Sequence, residues 1–202
     1  MLPIPNHSWP GKLFVSSRPR GGDWLSDETK TWRQSGIQTV LSLLTHEEES
    51  ELGILDESVE AAKQGMKFIS FPIPDRGIPG SSTAAIEMLD EVHNELQRGK
   101  NVLVHCRQGV GRAGMIAASL LVLDGTEPRA AIEEVSKARG VTVPETADQE
   151  QWIVTFSNAS LPRSLAPDPC SLIPDPCFAP RQAAQNLPPT GRRLPFAALP
   201  SP

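Results

Sequence analysis

The sequence predicts an α/β fold, a single domain over residues 10–160 with a mostly parallel central sheet flanked by helices. A separate tail is expected over residues 161–202. Three observations predict this. Between Lys12 and Ala159, short apolar runs alternate with longer stretches of helical periodicity, the order of a sheet covered by helices. Gly36, Gly65, Gly99, Gly125 and Gly140 each stand where one of those helical stretches closes. After Ser160 the composition changes: eleven of the 20 prolines lie there, without apolar periodicity.

The elements follow in order. Leu13-Phe14-Val15 is the first predicted strand, followed by a helix over Asp27–Gln34 and a strand over Gln38–Leu44. A helix is expected over Glu47–Lys63 and a strand over Lys67–Phe71. Thr83–Gln97 carries Ile86, Leu89, Val92 and Leu96 at helical spacing, with His93 at the border of that stripe. Val102-Leu103-Val104 is a fully apolar strand, and Met115–Leu123 is apolar on nearly every face, the pattern of a buried helix. Helices over Glu127–Arg139 and Ala147–Asn158 complete the domain. The 39% hydrophobic content suffices for one core.

Between the Val102 strand and the Met115 helix runs His105-Cys106-Arg107-Gln108-Gly109-Val110-Gly111-Arg112-Ala113-Gly114. A helix N-terminus offers unpaired N–H groups and partial positive charge, so it attracts anions. Gly109 and Gly111 permit a tight curl whose amides converge on one tetrahedral oxyanion. Cys106 lies in the same positive field, which favours the nucleophilic thiolate. Arg112 can return across the curl and give a phosphate two parallel hydrogen bonds, which lysine cannot copy. A buried cysteine beside a Gly-rich strand-to-helix turn needs no chemistry by itself. The cysteine, arginine and two glycines together point to a phosphate pocket built around a nucleophile.

This pattern resembles the active-site loop of the cysteine-dependent protein tyrosine phosphatase superfamily, His-Cys, five residues, then Arg with Ser or Thr. His105, Cys106, Gly109 and Arg112 carry the match. The resemblance implies a hydrolase in which Cys106 attacks phosphorus and forms a phosphocysteine intermediate. Arg112 and the loop from Arg107 through Gly111 would hold the phosphate, and His105 would orient the loop through backbone hydrogen bonds. Arg107 and Gln108 side chains point outward in such a loop, either to the substrate's rim or to solvent and neighbouring loops. Ala113 departs from the family, where a hydroxyl helps the cysteine sulfur leave; its absence implies slower hydrolysis of the intermediate, which loop amides and Arg112 could offset.

Such chemistry needs a proton donor for the leaving oxygen. Pro74-Asp75 resembles the family's acid loop, and its distance before Cys106 is like that in the compact dual-specificity branch. Pro-Asp-x-Gly is also a plain turn signal. Val143–Trp152 is similar to a segment of bacterial phosphatases of this kind in which a glutamine positions the hydrolytic water, here Gln149. The same residues fit a capping box, with Thr146 as N-cap and Gln149 reaching back to its amide. No metal cluster is visible and no cofactor is implied. The Thr45–Glu49 region is implied to lie near the cleft and to influence specificity.

Charge narrows the partner. The net charge is −5, and residues 1–160 alone carry 22 acidic against 15 basic side chains, a balance that disfavours nucleic acid and anionic membrane. Phosphoinositide-specific relatives often carry lysines inside the loop, whereas only Arg107 adds charge here, so a phosphorylated protein is the expected substrate. The absence of tyrosine removes one wall of a deep phosphotyrosine pocket, so the expected cleft is shallow and admits phosphoserine and phosphothreonine as well as phosphotyrosine. The alternatives are a phospho-binding pseudophosphatase with little turnover and a phosphatase acting on phosphoinositides or small phosphate esters. No signal peptide or membrane span is expected, and a reactive thiol requires reduction, so a cytoplasmic monomer is the expectation. Cys170 and Cys177 repeat a Pro-Asp-Pro-Cys motif in the tail, which is expected to be disordered or extended.

Overall fold

A computed structural model describes residues 1–5 and 8–160. The tail, its two cysteines and His7 lie outside the described residues. The described chain runs β1 (Leu2–Ile4), β2 (Leu13–Ser17), α1 (Leu25–Gln34), β3 (Thr39–Ser42), α2 (His46–Leu52), α3 (Glu57–Lys63), β4 (Lys67–Ser70), α4 (Ser82–Gln97), β5 (Val102–Cys106), α5 (Gly111–Leu123), α6 (Pro128–Arg139) and α7 (Ala147–Ser160). The five strands form one sheet in the order β1-β2-β5-β3-β4. Only β1 is antiparallel to its neighbour; the other strands run parallel. The fold is therefore the mostly parallel α/β domain that the alternating pattern predicts.

Central β5 pairs with β2 on one side and β3 on the other, and all five of its residues are buried. Its side chains alternate between two cores. Val102, Val104 and Cys106 belong to the larger core with α4, α5 and α7, whereas Leu103 joins Trp32, Ile37 and Met66 on the opposite face. Consecutive His105 and Cys106 thereby point to opposite sides of the sheet. Within α5, Met115, Ile116, Leu120 and Leu121 are fully buried, and each contributes about 1.5–3 kcal/mol of burial. That anchoring fixes the N-terminus of α5 against the end of β5.

Three local features differ from the sequence reading. The helix expected over Glu47–Lys63 is two helices, because Gly53 takes a left-handed conformation (φ 66°) and the Ile54 N–H turns back to the Glu49 carbonyl at 2.9 Å. A short 3-10 helix over Gly22–Trp24 precedes α1. The sheet also extends to Leu2, ahead of the expected domain start at residue 10, through a three-residue edge strand too short to show periodicity.

Candidate active site

Cys106 ends β5 and Gly111 opens α5, so residues 107–110 make the connecting curl. Gly109 has φ 70°, and a Cβ at this position would overlap the Ser16 carbonyl at the end of β2. Only glycine meets both demands. The curl turns the Gly109 N–H onto the Cys106 sulfur at 3.2 Å. Gly111 then opens α5, whose first-turn N–H groups have no intrahelical partners. Gly114 allows α5 to approach the Val143 side chain, and Gly111 lies against the Glu145 carboxylate.

Arg112 is 2% exposed and is held from several sides. Its Nη1 donates to Glu48 Oε2 (2.6 Å), the Ile73 carbonyl (2.8 Å) and the Leu43 carbonyl (3.3 Å). Its Nη2 donates to Glu48 Oε1 (2.8 Å) and to Asp75 Oδ1 (2.9 Å). Nε takes part in none of these bonds. Glu48 is itself fixed at the start of α2 by a reciprocal capping box with Thr45. Burial alone would push the Glu48 carboxyl up, but hydrogen bonds from Arg112 and the Thr45 amide, with the Arg112 charge, outweigh it and hold the carboxyl below its usual range. For Arg112, burial works against the cation, yet Glu48, the Cys106 charge and Asp75 raise its pKa above the ordinary value.

Cys106, Arg112 and Asp75 meet at one cavity of about 110 Å³, which Arg107, Gln108, Arg76 and Glu145 also line. Gly109, Val110 and Gly111 are not among its lining residues; Gly109 reaches the site through its N–H on the Cys106 sulfur. The Arg107 side chain pairs with Glu51 through two bonds of 2.8 and 3.1 Å. The Gln108 carbonyl accepts a bond from Arg139. Asp75 sits in a turn closed by the Gly77 N–H donating to the Pro74 carbonyl at 2.8 Å, with Arg76 between them in a left-handed conformation (φ 58°).

Two supporting residues differ in detail from their expected contacts. His105 meets a carboxylate instead of backbone: its Nε2 is 2.8 Å from Glu57 Oε1, both side chains are buried, neither ring nitrogen hydrogen-bonds to backbone among the described residues, and Trp32 packs at its ring. The Gln149 N–H donates to Thr146 Oγ1 as the capping box predicts, but Gln149 Oε1 accepts from the Glu145 N–H, one residue earlier than Thr146. Gln149 Nε2 donates to the Gly77 carbonyl at 2.9 Å. The Nε2 end of that amide thus ties the Asp75 turn to α7 while the Oε1 end holds the segment before α7, and Gln149 does not line the cavity. Ala113 is fully buried beneath the loop.

Glu48 and Glu145 fall within the Thr45–Glu49 and Val143–Trp152 segments expected near the cleft, as the structure places them, but neither carries a role of its own in the sequence, and Glu57 lies outside any expected site segment. Thr45-x-x-Glu48 was visible as a capping signature, which could have drawn attention to Glu48. Glu57 and Glu145 carried no comparable local signal.

A family model described as Swiss Army Knife protein, DSP-PTPase phosphatase domain, matches residues 5–167. The chain is 28% identical over 134 residues to cyclin-dependent kinase inhibitor 3 of Rattus norvegicus, covering 65% of this chain and 63% of that protein, so it spans a little under two thirds of that relative. Among solved structures, it superposes on kinase associated phosphatase with its catalytic-site cysteine substituted by serine, with TM-score 0.69 and 23% identity over 74% of this chain and 87% of the other. It also superposes on PTPMT1 in complex with PI(5)P, with TM-score 0.62 and 17% identity over 73% and 91% of the two chains. These two structures share its fold.

Proposed function

The chain belongs to the DSP-PTPase phosphatase-domain family, and on that premise we propose that it is a cysteine-dependent protein phosphatase whose nucleophile is Cys106. The reading draws most support from one observation: the Gly109 N–H lies on the Cys106 sulfur inside the cavity where Arg112 and Asp75 share a hydrogen bond.

The Cys106 thiolate attacks phosphorus as the bond to the ester oxygen breaks, and Asp75 gives its proton to the departing oxygen. Water then attacks the phosphocysteine while the Asp75 carboxylate takes its proton, releasing phosphate and restoring the thiolate. Arg112 keeps Glu48 on Nη1 and on one Nη2 hydrogen throughout. The phosphate takes Nε–H and the Nη2 hydrogen now on Asp75, which forms a bidentate clamp and frees Asp75 for proton transfer. Loop amides and Arg112 hold the charge that builds on the equatorial oxygens. Gln149 and His105 are positioning residues, one for the Asp75 turn and one for the base of the loop.

A phosphorylated protein is the proposed substrate, consistent with the relative named as a kinase inhibitor and with the excess of acidic side chains, which opposes anionic lipid surfaces. The need for a reduced thiol favours a cytoplasmic setting, and the chemistry requires only one copy of the chain. Ala113 motivates a second reading, a phospho-binding protein with slow turnover.

Rapid-mixing turnover of p-nitrophenyl phosphate separates these readings. Wild type should show a burst followed by steady turnover, both absent in Cys106→Ser, and Ala113→Ser should accelerate the second phase. Folded wild-type protein that binds vanadate without any Cys106-dependent turnover would leave the phospho-binding reading.

A further inference from the structure

We propose that Arg76 recognises a second anionic group beside the scissile phosphate, so that the preferred substrates are phosphopeptides carrying a carboxylate or another phosphate next to the phosphoresidue. This inference rests on the phosphatase reading above and adds its substrate preference.

Three arginines line the cavity, and their charges are differently committed. Arg112 is locked by Glu48, and Arg107 is matched by a bidentate pair with Glu51. Arg76 is exposed and forms no ion pair among the described residues. It is the cavity's uncompensated guanidinium. Its backbone adds a second observation: φ 58° is a conformation that favours glycine or asparagine, and Arg76 is the one non-glycine residue among those described to adopt it. The strained turn is held by the Gly77 N–H on Pro74 and by contact of Thr146 Oγ1 with the Arg76 carbonyl. Strain retained at a site lip is more readily explained by the side chain's use there than by the turn alone, which Gly would form without strain.

The location specifies what Arg76 can meet. It follows Asp75, the proposed donor to the leaving oxygen, so it stands on the side of the cavity where the substrate's own residue departs. The group it meets there is a neighbour of the phosphoresidue, and a guanidinium suits either a carboxylate or a phosphate. Asp75 and Glu145 line the same cavity and oppose an incoming anion, so the preference is modest. An exposed pair of this kind corresponds to a selectivity of about threefold to fivefold. The excess of acidic side chains in residues 1–160 favours a peptide over an anionic membrane as the carrier of the second charge.

The test compares kcat/KM for three peptides that differ only in the residue beside the phosphoresidue: alanine, glutamate or phosphoserine, with products resolved by mass. Wild type, Arg76→Gln and Arg76→Gly are each measured, and Arg76→Gly relieves the backbone strain so that misfolding does not mimic lost recognition. The expected wild-type preference for glutamate over alanine is about threefold to fivefold, larger for phosphoserine, falling to about one in both variants. Because each preference is a ratio within one enzyme, a general change in turnover cancels. A wild-type ratio of one, or a ratio unchanged in both variants, overturns the inference while Cys106-dependent turnover of p-nitrophenyl phosphate leaves the phosphatase reading standing. Faster turnover of phosphatidylinositol phosphate vesicles than of any peptide also overturns it. Absence of Cys106-dependent turnover of every substrate overturns both readings together.

Discussion

The loop between β5 and α5 has an arginine near each end, and helix α2 answers both with glutamates one turn apart. Arg107 pairs with Glu51 at 2.8 and 3.1 Å, and Arg112 pairs with Glu48 at 2.6 and 2.8 Å. The geometry is nearly the same, but the surroundings are not. Side-chain exposure is 37% and 62% for the outer pair, against 2% and 10% for the inner one. Water competes for the outer charges and weakens their attraction, whereas the inner charges have lost hydration that only their partners replace. One pairing is therefore a movable rim contact, and the other fixes the guanidinium on which phosphate binding depends.

Removing the inner carboxylate is the strongest way to break this contrast. Glu48→Ala leaves Arg112 buried without its partner and also removes half of the α2 capping box, so unfolding stability should drop by about 3–5 kcal/mol in denaturant titrations. A drop below about 1 kcal/mol would mean that the inner pair behaves like a surface bridge. Asp75→Asn probes the remaining Nη2 contact. It should lower kcat by about 10²–10⁴-fold while vanadate affinity holds or rises, because a competing carboxylate has left Arg112. Steady-state kinetics with a binding titration would reveal both changes, and weaker vanadate binding would contradict the exchange of Asp75 for phosphate.

Acid titration sharpens the comparison further. The Glu48 carboxyl lies below its ordinary value of 4.5 in the folded protein, with Arg112 and the Thr45 amide overcoming the opposing effect of burial. Its stabilising contribution is therefore fully present above the unfolded value and is lost as pH falls through the lower folded value. Melting curves of wild type and Glu48→Gln should lie apart near neutrality and converge as pH falls through the lowered folded value of Glu48. The smallest effect belongs to the rim: Glu51→Ala should leave Tm unchanged within error. An appreciable loss would show that exposure does not separate the pairs.

The nucleophile and phosphate loop were legible because their parts are neighbours in sequence, bounded by an apolar strand and an apolar helix. Asp75 was legible as a turn residue at a suitable distance. What holds these groups was less visible, because it comes from distant segments: Glu48 reaches Arg112 across 64 positions, and Gln149 reaches Gly77 across 72. A capping signature around Thr45 explains how α2 starts but not that Glu48 also serves an arginine from another element. The division of α2 from α3 depended on one glycine inside an otherwise helical pattern. The alternation along β5 was readable, yet it does not specify that Glu57 waits opposite His105.

The most direct measurement is mass analysis of the Cys106 peptide after rapid mixing with a phosphopeptide and acid quench, in wild type and Asp75→Asn. The account predicts the added mass of one phosphoryl group on Cys106, persisting longer in Asp75→Asn because water activation is slowed, and none at this position in Cys106→Ser. Steady release of phosphate from wild type with the phosphoryl group never on Cys106 at any quench time in either protein would contradict it.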